Sequence, residues 1–377
     1  MTKKVRVVHM TTVHHPYDPR IYHKECMSLD RHGFDVTLIA QPGDENQKKN
    51  NSIKHVPLKK YQSRLKRMIL GSISAYKVAK SLKADVYHFH DPELLPIGWL
   101  LKNKGNVVIY DIHEDYVTSI LQKQYLIKPL RKIVAFIYKW IEKFFSRKMD
   151  LCLAEKYYQE IYPRGTCILN YPTLNDRLIE YDRTYTGHQH RLLYTGNVTV
   201  DRGALIHAKL PNIHEAVSVQ FIGKCPSPLA QKMYEVAGFN KEQLNIEGID
   251  RFVEKETIEK TYMSEEWLAG VALFPPTEHY MRKELTKFFE YMSAGLPIIC
   301  SNFPVWKEFI DRYQCGIAVD PKDDTAIKQA IDFLIDNPEV AAQMGTNGKK
   351  AVLEELNWYR EEEKLIQWYN RLLDKLQ

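Results

Sequence analysis

The feature that most constrains the fold is alternation. Short apolar, β-rich runs and longer helical patterns follow one another along the whole chain. In the first half the runs are "VRVVHMTTV" (5–13), "DVTLIA" (35–40), "VYHFH" (86–90), "NVVIYDIH" (106–113) and "DLCLA" (150–154). Helical patterns at 18–32, 63–83, 92–103 and 125–148 separate most of them. In the second half "RLLYTG" (191–196), "VSVQFIG" (217–223), "VALFPP" (271–276), "PIICS" (297–301) and "GIAVD" (316–320) alternate with patterns at about 226–237, 255–268, 284–294, 304–312 and 323–336. Apolar runs of this length joined through helices predict parallel sheets covered on both faces. A chain of 377 residues is long for one such sheet and suits two domains. The expected fold is α/β: two Rossmann-like, doubly wound parallel-sheet domains facing across a cleft between the carboxyl ends of their strands.

The polar, aperiodic stretch 172–190 marks the expected linker, giving an N-terminal domain over 1–175 and a C-terminal domain over 185–357. The tail 357–377 reads as a helix with an apolar position every three or four residues. No apolar run reaches the ~18 residues needed to cross a bilayer, and the N-terminal segment reads as a first strand rather than a signal peptide. Six scattered cysteines without a Cys-x-x-Cys pair suit a reducing cytosol. They predict neither a disulfide framework nor a zinc site.

Four segments carry candidate chemistry. In "ELTKFFEYMSAGLP" (284–297), Lys287 and Glu290 are three apart and share one helix face. A helix start, a lysine one turn in and a carboxylate suit a nucleoside diphosphate: phosphates on the N–H groups and the cation, ribose hydroxyls on Glu290. A surface ion pair has the same spacing. In "YTGNVTVDRGALI" (194–206) a strand runs into Gly196, then a loop, then Arg202. Glycine lets a phosphate approach the backbone and arginine binds it bidentately; a plain turn with a solvated arginine reads the same way. "VVIYDIHEDY" (107–116) puts His113 and Glu114 just past an apolar run, where His113 suits either a sugar hydroxyl or a structural hydrogen bond. The first loop, "TTVHHPYDPRIYHKE" (11–25), offers His15 and Asp18 as ligand-binding candidates, with His14 behind them. These histidines lack a zinc spacing, so no metal is expected.

Charge is divided unevenly. Residues 1–180 hold 30 Lys/Arg against 18 Asp/Glu, and residues 181–377 hold 23 against 29. Residues 46–84 contain eleven basic and no acidic side chains, and 125–148 combine seven basic residues with six aromatic ones among Phe, Tyr and Trp. That composition fits an anionic membrane surface, and equally a core helix with a solvated basic face. No nucleic-acid-binding signature accompanies it.

"TKFFEYMSAGLPIICSNFP" resembles the K-x-F-E-Y-M-x-x-G-x-P-(V/I)-I signature of the family-four nucleotide-sugar-dependent glycosyltransferases. "HHPYDPRIYHKECMSLDRHGFDVTLIA", "VIYDIHEDY", "YTGNVTVDRG" and "CGIAVDPKD" resemble other family segments in the expected order, so the resemblance spans nearly the whole chain. It implies the two-domain GT-B fold, with helix 358–377 packing back on an N-terminal acceptor domain and 185–357 binding the donor. It implies a retaining enzyme of the hexosyl or N-acetylhexosaminyl transfer class, with no cofactor and no obligatory metal. Lys287 and Arg202 would hold the diphosphate, Glu290 the ribose, and Gly196 would line the phosphate loop; His113 would lie beside donor sugar and acceptor, near His15, Asp18 and Glu114. The donor expected is a UDP-sugar ahead of a GDP-sugar. The acceptor expected is a surface glycan or a lipid-linked one, and the location expected is cytoplasmic, peripheral on the inner membrane face. Two departures stand out: Arg282 occupies the position of a common family glutamate, and the first loop lacks its usual glycines. A UDP-sugar 2-epimerase of the same architecture, and a catalytically idle sugar-nucleotide-binding protein on a membrane, are the alternatives.

Overall fold

A computed structural model describes residues 4–43, 52–122, 127–185, 190–264 and 267–376. Residues 46–51 and 125–126 of the two basic stretches, and 186–189 of the expected linker, lie outside them. The chain divides into two compact units, residues 1–170 with 358–377, and residues 171–357.

Among the described residues the first unit holds seven parallel strands: β1 (Arg6–Met10), β2 (Asp35–Ala40), β3 (Lys54–Pro57), β4 (Val86–Phe89), β5 (Val107–Ile112), β6 (Asp150–Leu153) and β7 (Thr166–Cys167). Their order is β3-β2-β1-β4-β5-β6-β7. The second unit holds six: β8 (Arg191–Thr195), β9 (Ser218–Cys225), β10 (Leu244–Ile249), β11 (Trp267–Ala272), β12 (Ile298–Ser301) and β13 (Gly316–Val319), ordered β10-β9-β8-β11-β12-β13. All pairings are parallel. Strand order reverses between β1 and β4 in the first sheet and between β8 and β11 in the second. Loops leaving the carboxyl ends of strands there diverge and open a crevice. Each unit therefore has one place where its topology favours a ligand.

Several elements differ from the sequence expectation. β3, β7 and β10 and the helix Pro338–Glu354 were not anticipated, and β11 lies at Trp267–Ala272 rather than 271–276. The expected linker is not loose. Tyr171 packs edge-on against Phe289 with ring centroids 5.0 Å apart, and Lys349 Nζ donates to the carbonyl of Ile179 at 3.2 Å. These contacts move the division to Asn170/Tyr171 and give the segment to the second unit.

The helix Trp358–Asp374 closes the first unit. Trp358, Leu365, Trp368, Tyr369 and Leu372 join the core formed by Val7, Ile21, Leu38 and Ile109. Trp358 Nε1 donates to Ser28 Oγ at 2.9 Å, and Tyr369 Oη is hydrogen-bonded to His88 Nδ1 at 2.7 Å.

The helix Lys128–Ser146 packs Ala135 and Phe145 on the core yet carries apolar side chains outward as well. Its inward face carries Glu142, 3 % exposed, which accepts hydrogen bonds from Tyr110, Tyr138 and Tyr162 at 3.1, 2.9 and 2.5 Å. Its outward face carries Ile133, Phe136, Ile137 and Trp140, with Phe136 72 % and Trp140 62 % exposed. Ala135 and Phe145 pack inward and Lys132, Lys139 and Lys143 are exposed, so the helix has the solvated basic face and, in addition, exposed apolar side chains.

Candidate functional site

The helix Thr286–Ser293 forms because Phe288, Phe289, Tyr291 and Met292 make one buried face. It stops at Gly295, whose φ of +66° a side chain would strain. Its start has no side-chain cap, so its first N–H groups point outward unbonded by a capping side chain. Lys287 and Glu290 both line a cavity of about 230 Å³, together with Thr195, Gly196, Arg202 and Tyr280. This cavity lies at the carboxyl ends of β8 and β11, the reversal point of the second sheet. A larger open hollow of about 550 Å³, between Arg191, Asn245 and Trp267, holds none of the residues singled out from the sequence.

Lys287 is 8 % exposed. Its Nζ donates to the Thr195 carbonyl at 2.8 Å and lies 3.5 Å from the Tyr194 ring centroid. Burial pushes its ammonium down to about 7, with Glu290 opposing and Arg202 adding to the shift. Glu290 is half-buried, and its Oε2 accepts from Tyr262 Oη at 2.9 Å; that hydroxyl is also hydrogen-bonded to Thr195 Oγ1 at 2.7 Å. Arg202 ends a short turn, Val200–Arg202, and its Nε donates to Tyr280 Oη at 3.0 Å. Gly196 has φ +89°, a conformation only glycine adopts freely, and a Cβ there would meet nothing within 4 Å. The space above it is open. Arg282 is exposed on the neighbouring helix Glu278–Arg282 and does not line the cavity.

In the first unit the residues past β1, β4 and β5 converge. His113 Nδ1 lies 3.3 Å from Asp111 Oδ2, while its Nε2 has no hydrogen-bond partner. Its ring stacks on His90 and lies against His14, with centroids 5.1 and 5.4 Å apart. Burial pushes its imidazole down to about 3 against the pull of Asp111, so the ring is neutral at pH 7. Asp111 in turn accepts two hydrogen bonds from Arg20, from Nε and Nη2, both at 3.0 Å, and lies 3.1 Å from His90 Nδ1.

The structure sorts the other first-unit candidates. Asp18 caps a helix turn, accepting from the backbone N–H groups of Arg20 and Ile21 at 2.8 and 3.0 Å. Although burial pushes its carboxyl up, the hydrogen bond from His14 and these N–H groups outweigh it and hold it below the usual range. His14, ranked behind His15 from the sequence, is the one that reaches His113, and it bridges Asp18 and Asp91 at 3.3 and 3.5 Å. His15 is exposed beside Tyr17, and Glu114 is exposed. Arg20 stood in the first loop without an assigned role, and His90 and Asp91 were not anticipated. The signal was present in "HFHDPE" (88–93), where a polar run follows an apolar strand start.

Residues 286–351 match the family model described as "Glycosyl transferases group 1", and residues 20–155 match that described as "Glycosyltransferase Family 4". No curated protein matches the sequence. Solved structures do match the fold. Sucrose-phosphate synthase from Thermosynechococcus elongatus is 15 % identical with a TM-score of 0.72, covering 98 % of this chain and 100 % of that one. Anabaena HepE in complex with UDP is 10 % identical, TM-score 0.67, over 98 % and 100 %. WaaG, a glycosyltransferase involved in lipopolysaccharide biosynthesis, is 13 % identical, TM-score 0.66, over 95 % and 98 %. The two parallel-sheet units are those of GT-B glycosyltransferase structures.

Proposed function

We propose that this GT-B glycosyltransferase is a retaining enzyme moving a sugar from a UDP donor to a surface glycan or lipid-linked acceptor. The observation that carries the reading is one cavity holding Gly196, Arg202, Lys287 and Glu290 at the reversal point of the second sheet. Negative charge grows on the leaving diphosphate as the glycosidic bond breaks. Lys287, Arg202 and the uncapped helix start supply fixed positive potential where that charge develops. Glu290 takes the ribose hydroxyls, and in the first unit the neutral His113 ring, past the carboxyl end of β5, stands on the acceptor side. The leaving phosphate takes the acceptor proton on the same face, which retains the anomeric configuration. HepE in complex with UDP and with UDP-glucose supports uracil as the base. Asp18, capped and ion-paired, is poorly placed to be the acid or base a 2-epimerase needs.

Thermal shift across UDP, GDP, ADP and CDP with EDTA present tests the donor site. UDP alone should stabilise the protein. Glu290→Ala should weaken UDP binding by about 1.5–3 kcal/mol, the worth of hydrogen bonds to a charged group. UDP lacking its ribose hydroxyls should bind wild type and variant alike. Equal UDP affinity in both proteins removes Glu290 from the ribose.

The outward apolar face of Lys128–Ser146, with Lys132, Lys139 and Lys143 on the same helix, fits an anionic bilayer surface. Leu65, Ile69 and Ile73 are exposed at helical spacing on 64–82, beside Arg64, Lys66 and Lys77. No helix among the described residues is long and apolar enough to cross a membrane. An enzyme resting on the inner leaflet would meet a lipid-linked acceptor there. Sedimentation with anionic vesicles should capture the protein at low salt, and Phe136→Glu/Trp140→Glu should abolish capture. Equal recovery with neutral and anionic vesicles at every salt concentration would sink the membrane assignment.

A further inference from the structure

A row of polar side chains crosses the first sheet where hydrophobic ones would be expected. His9 on β1 stands opposite His88 on β4, and Asp111 on β5 opposite Cys152 on β6. His90 follows β4 on the same face. A π-helical turn, Ile21–Cys26, lowers Glu25 onto this row. Glu25, His9, His88 and Asp111 are 0 % exposed and His90 is 1 % exposed, within an apolar core of Val7, Leu38, Ile109 and Trp368.

The Glu25 carboxylate is poorly served there. Neither oxygen has a hydrogen-bond partner of acceptable geometry, although Oε1 lies 3.1 Å from Arg20 Nε. Oε2 faces His9 Nδ1 at 3.8 Å and His90 Nε2 at 3.9 Å, and those two nitrogens are hydrogen-bonded to each other at 3.0 Å, sharing one proton that a bound ion would displace. A point equidistant from the three atoms lies about 2.1 Å from each, the length of a zinc–nitrogen or zinc–carboxylate bond. His88 Nδ1 is 3.9 Å from the same oxygen. His9 Nε2 and His88 Nε2 are also buried without partners. Among the described residues Arg20, already bidentate to Asp111, is the one Lys or Arg paired with these two buried carboxylates. A buried charge left over in this way is expensive.

We propose that Glu25, His9 and His90 hold a divalent cation of the zinc class, a structural site in the first unit. Imidazole and carboxylate ligands suit zinc, and full burial suits a closed site rather than a catalytic one. The ion would tie β1, β4 and the π turn together beneath the His113 loop. The site is independent of the donor reading, because Lys287, Glu290 and Arg202 belong to the other unit.

A proton on Glu25 neutralises that single leftover charge, whereas a divalent ion would leave the cluster with one positive charge, so the experiment must separate the two. The full chain, produced in zinc-supplemented medium and dialysed without chelator, is analysed for metal content and melting temperature. Wild type and His15→Ala, which removes an exposed histidine of the first loop, should each carry close to one zinc. Glu25→Gln should carry none and melt lower. Glutamine is nearly isosteric with a protonated glutamate. No zinc in wild type, with Glu25→Gln melting alike, therefore overturns the proposal. So does equal zinc in wild type and Glu25→Gln, which would place the ion elsewhere. Should Glu25→Gln fail to fold, cobalt-loaded wild type decides: visible d–d bands of a four- or five-coordinate nitrogen–oxygen site support the proposal, and their absence overturns it.

Discussion

Replacing Lys287 by methionine is expected to lower kcat/KM by about 10²–10³-fold, the usual cost of removing one preorganised group from a developing negative charge. Methionine keeps the volume of a side chain that is 8 % exposed, so packing is preserved and the loss reports charge. The variant should be no less stable than wild type. Burial holds the lysine ammonium down to about 7, against an ordinary value of ~10.4. The cost of keeping a charge there is fully present below about pH 7. It shrinks as pH rises and is gone above the ordinary value, because between the two the unfolded chain binds the extra proton. Methionine removes that cost at every pH. A bound diphosphate works in the opposite direction and raises the lysine value, so UDP binding takes up a proton. Affinity should fall as pH rises from 7 to 9 in wild type, by up to tenfold per unit, and stay flatter in Lys287→Met. Isothermal calorimetry in buffers of different ionisation enthalpy measures the uptake directly. Matching pH profiles in the two proteins would remove Lys287 from the diphosphate site.

The second large effect concerns Asp111. Asp111→Ala should destabilise the first unit by about 3–5 kcal/mol, because the Arg20 guanidinium, 4 % exposed, loses its bidentate partner and keeps only the single contact with Glu25 Oε1 at 3.1 Å. The same change frees the His113 ring, whose Nδ1 Asp111 faces. Turnover should therefore fall in whatever protein remains folded. A double variant, Arg20→Met with Asp111→Leu, separates the two consequences. Removing both charges should restore much of the stability and none of the orientation of His113, so melting recovers and turnover does not. Urea denaturation and donor turnover on the three proteins read this out. Recovery of both together would mean that Asp111 supports the fold and has no part in placing the histidine.

That Lys287 and Glu290 share one cavity was legible in the sequence because the pair is local. Lys287 and Glu290 sit three apart on one helix, and spacing alone puts them on one face. The polar row of the first unit was not legible. It is assembled from β1, the π turn, β4, β5 and β6, and each of its members sits in a strand or turn that otherwise reads as core. Pairings such as His88 with Tyr369, 281 residues apart, leave no trace in periodicity. The missed strands have physical reasons. β7 is two residues long, and β10, "LNIEGI", is broken by Asn, Glu and Gly and carries a register shift against β9 between Glu247 and Ile249. The helix Pro338–Glu354 was hidden by Gly345 and Gly348, which lower helix propensity. They are nevertheless buried: a Cβ at Gly345 would stand 2.2 Å from the Gly295 carbonyl, and one at Gly348 would stand 3.0 Å from Met292. Sequence periodicity found the amphipathic helix Lys128–Ser146 but could not tell which side faced inward. Three tyrosines converging on Glu142 decide that.

The return of Trp358–Asp374 to the first unit has a consequence for synthesis. The first unit is interrupted by 171–357, so its core lacks Trp358, Leu365 and Tyr369 until the whole second unit has been translated. The second unit has no such debt and can fold as soon as it emerges. In the interval the nascent first unit leaves an apolar groove beside His88 uncovered, which is a natural binding place for a chaperone. In a crowded polysome the same groove can accept the returning helix of a neighbouring chain, and exchange of that one helix would produce a swapped dimer in which each partner completes the other.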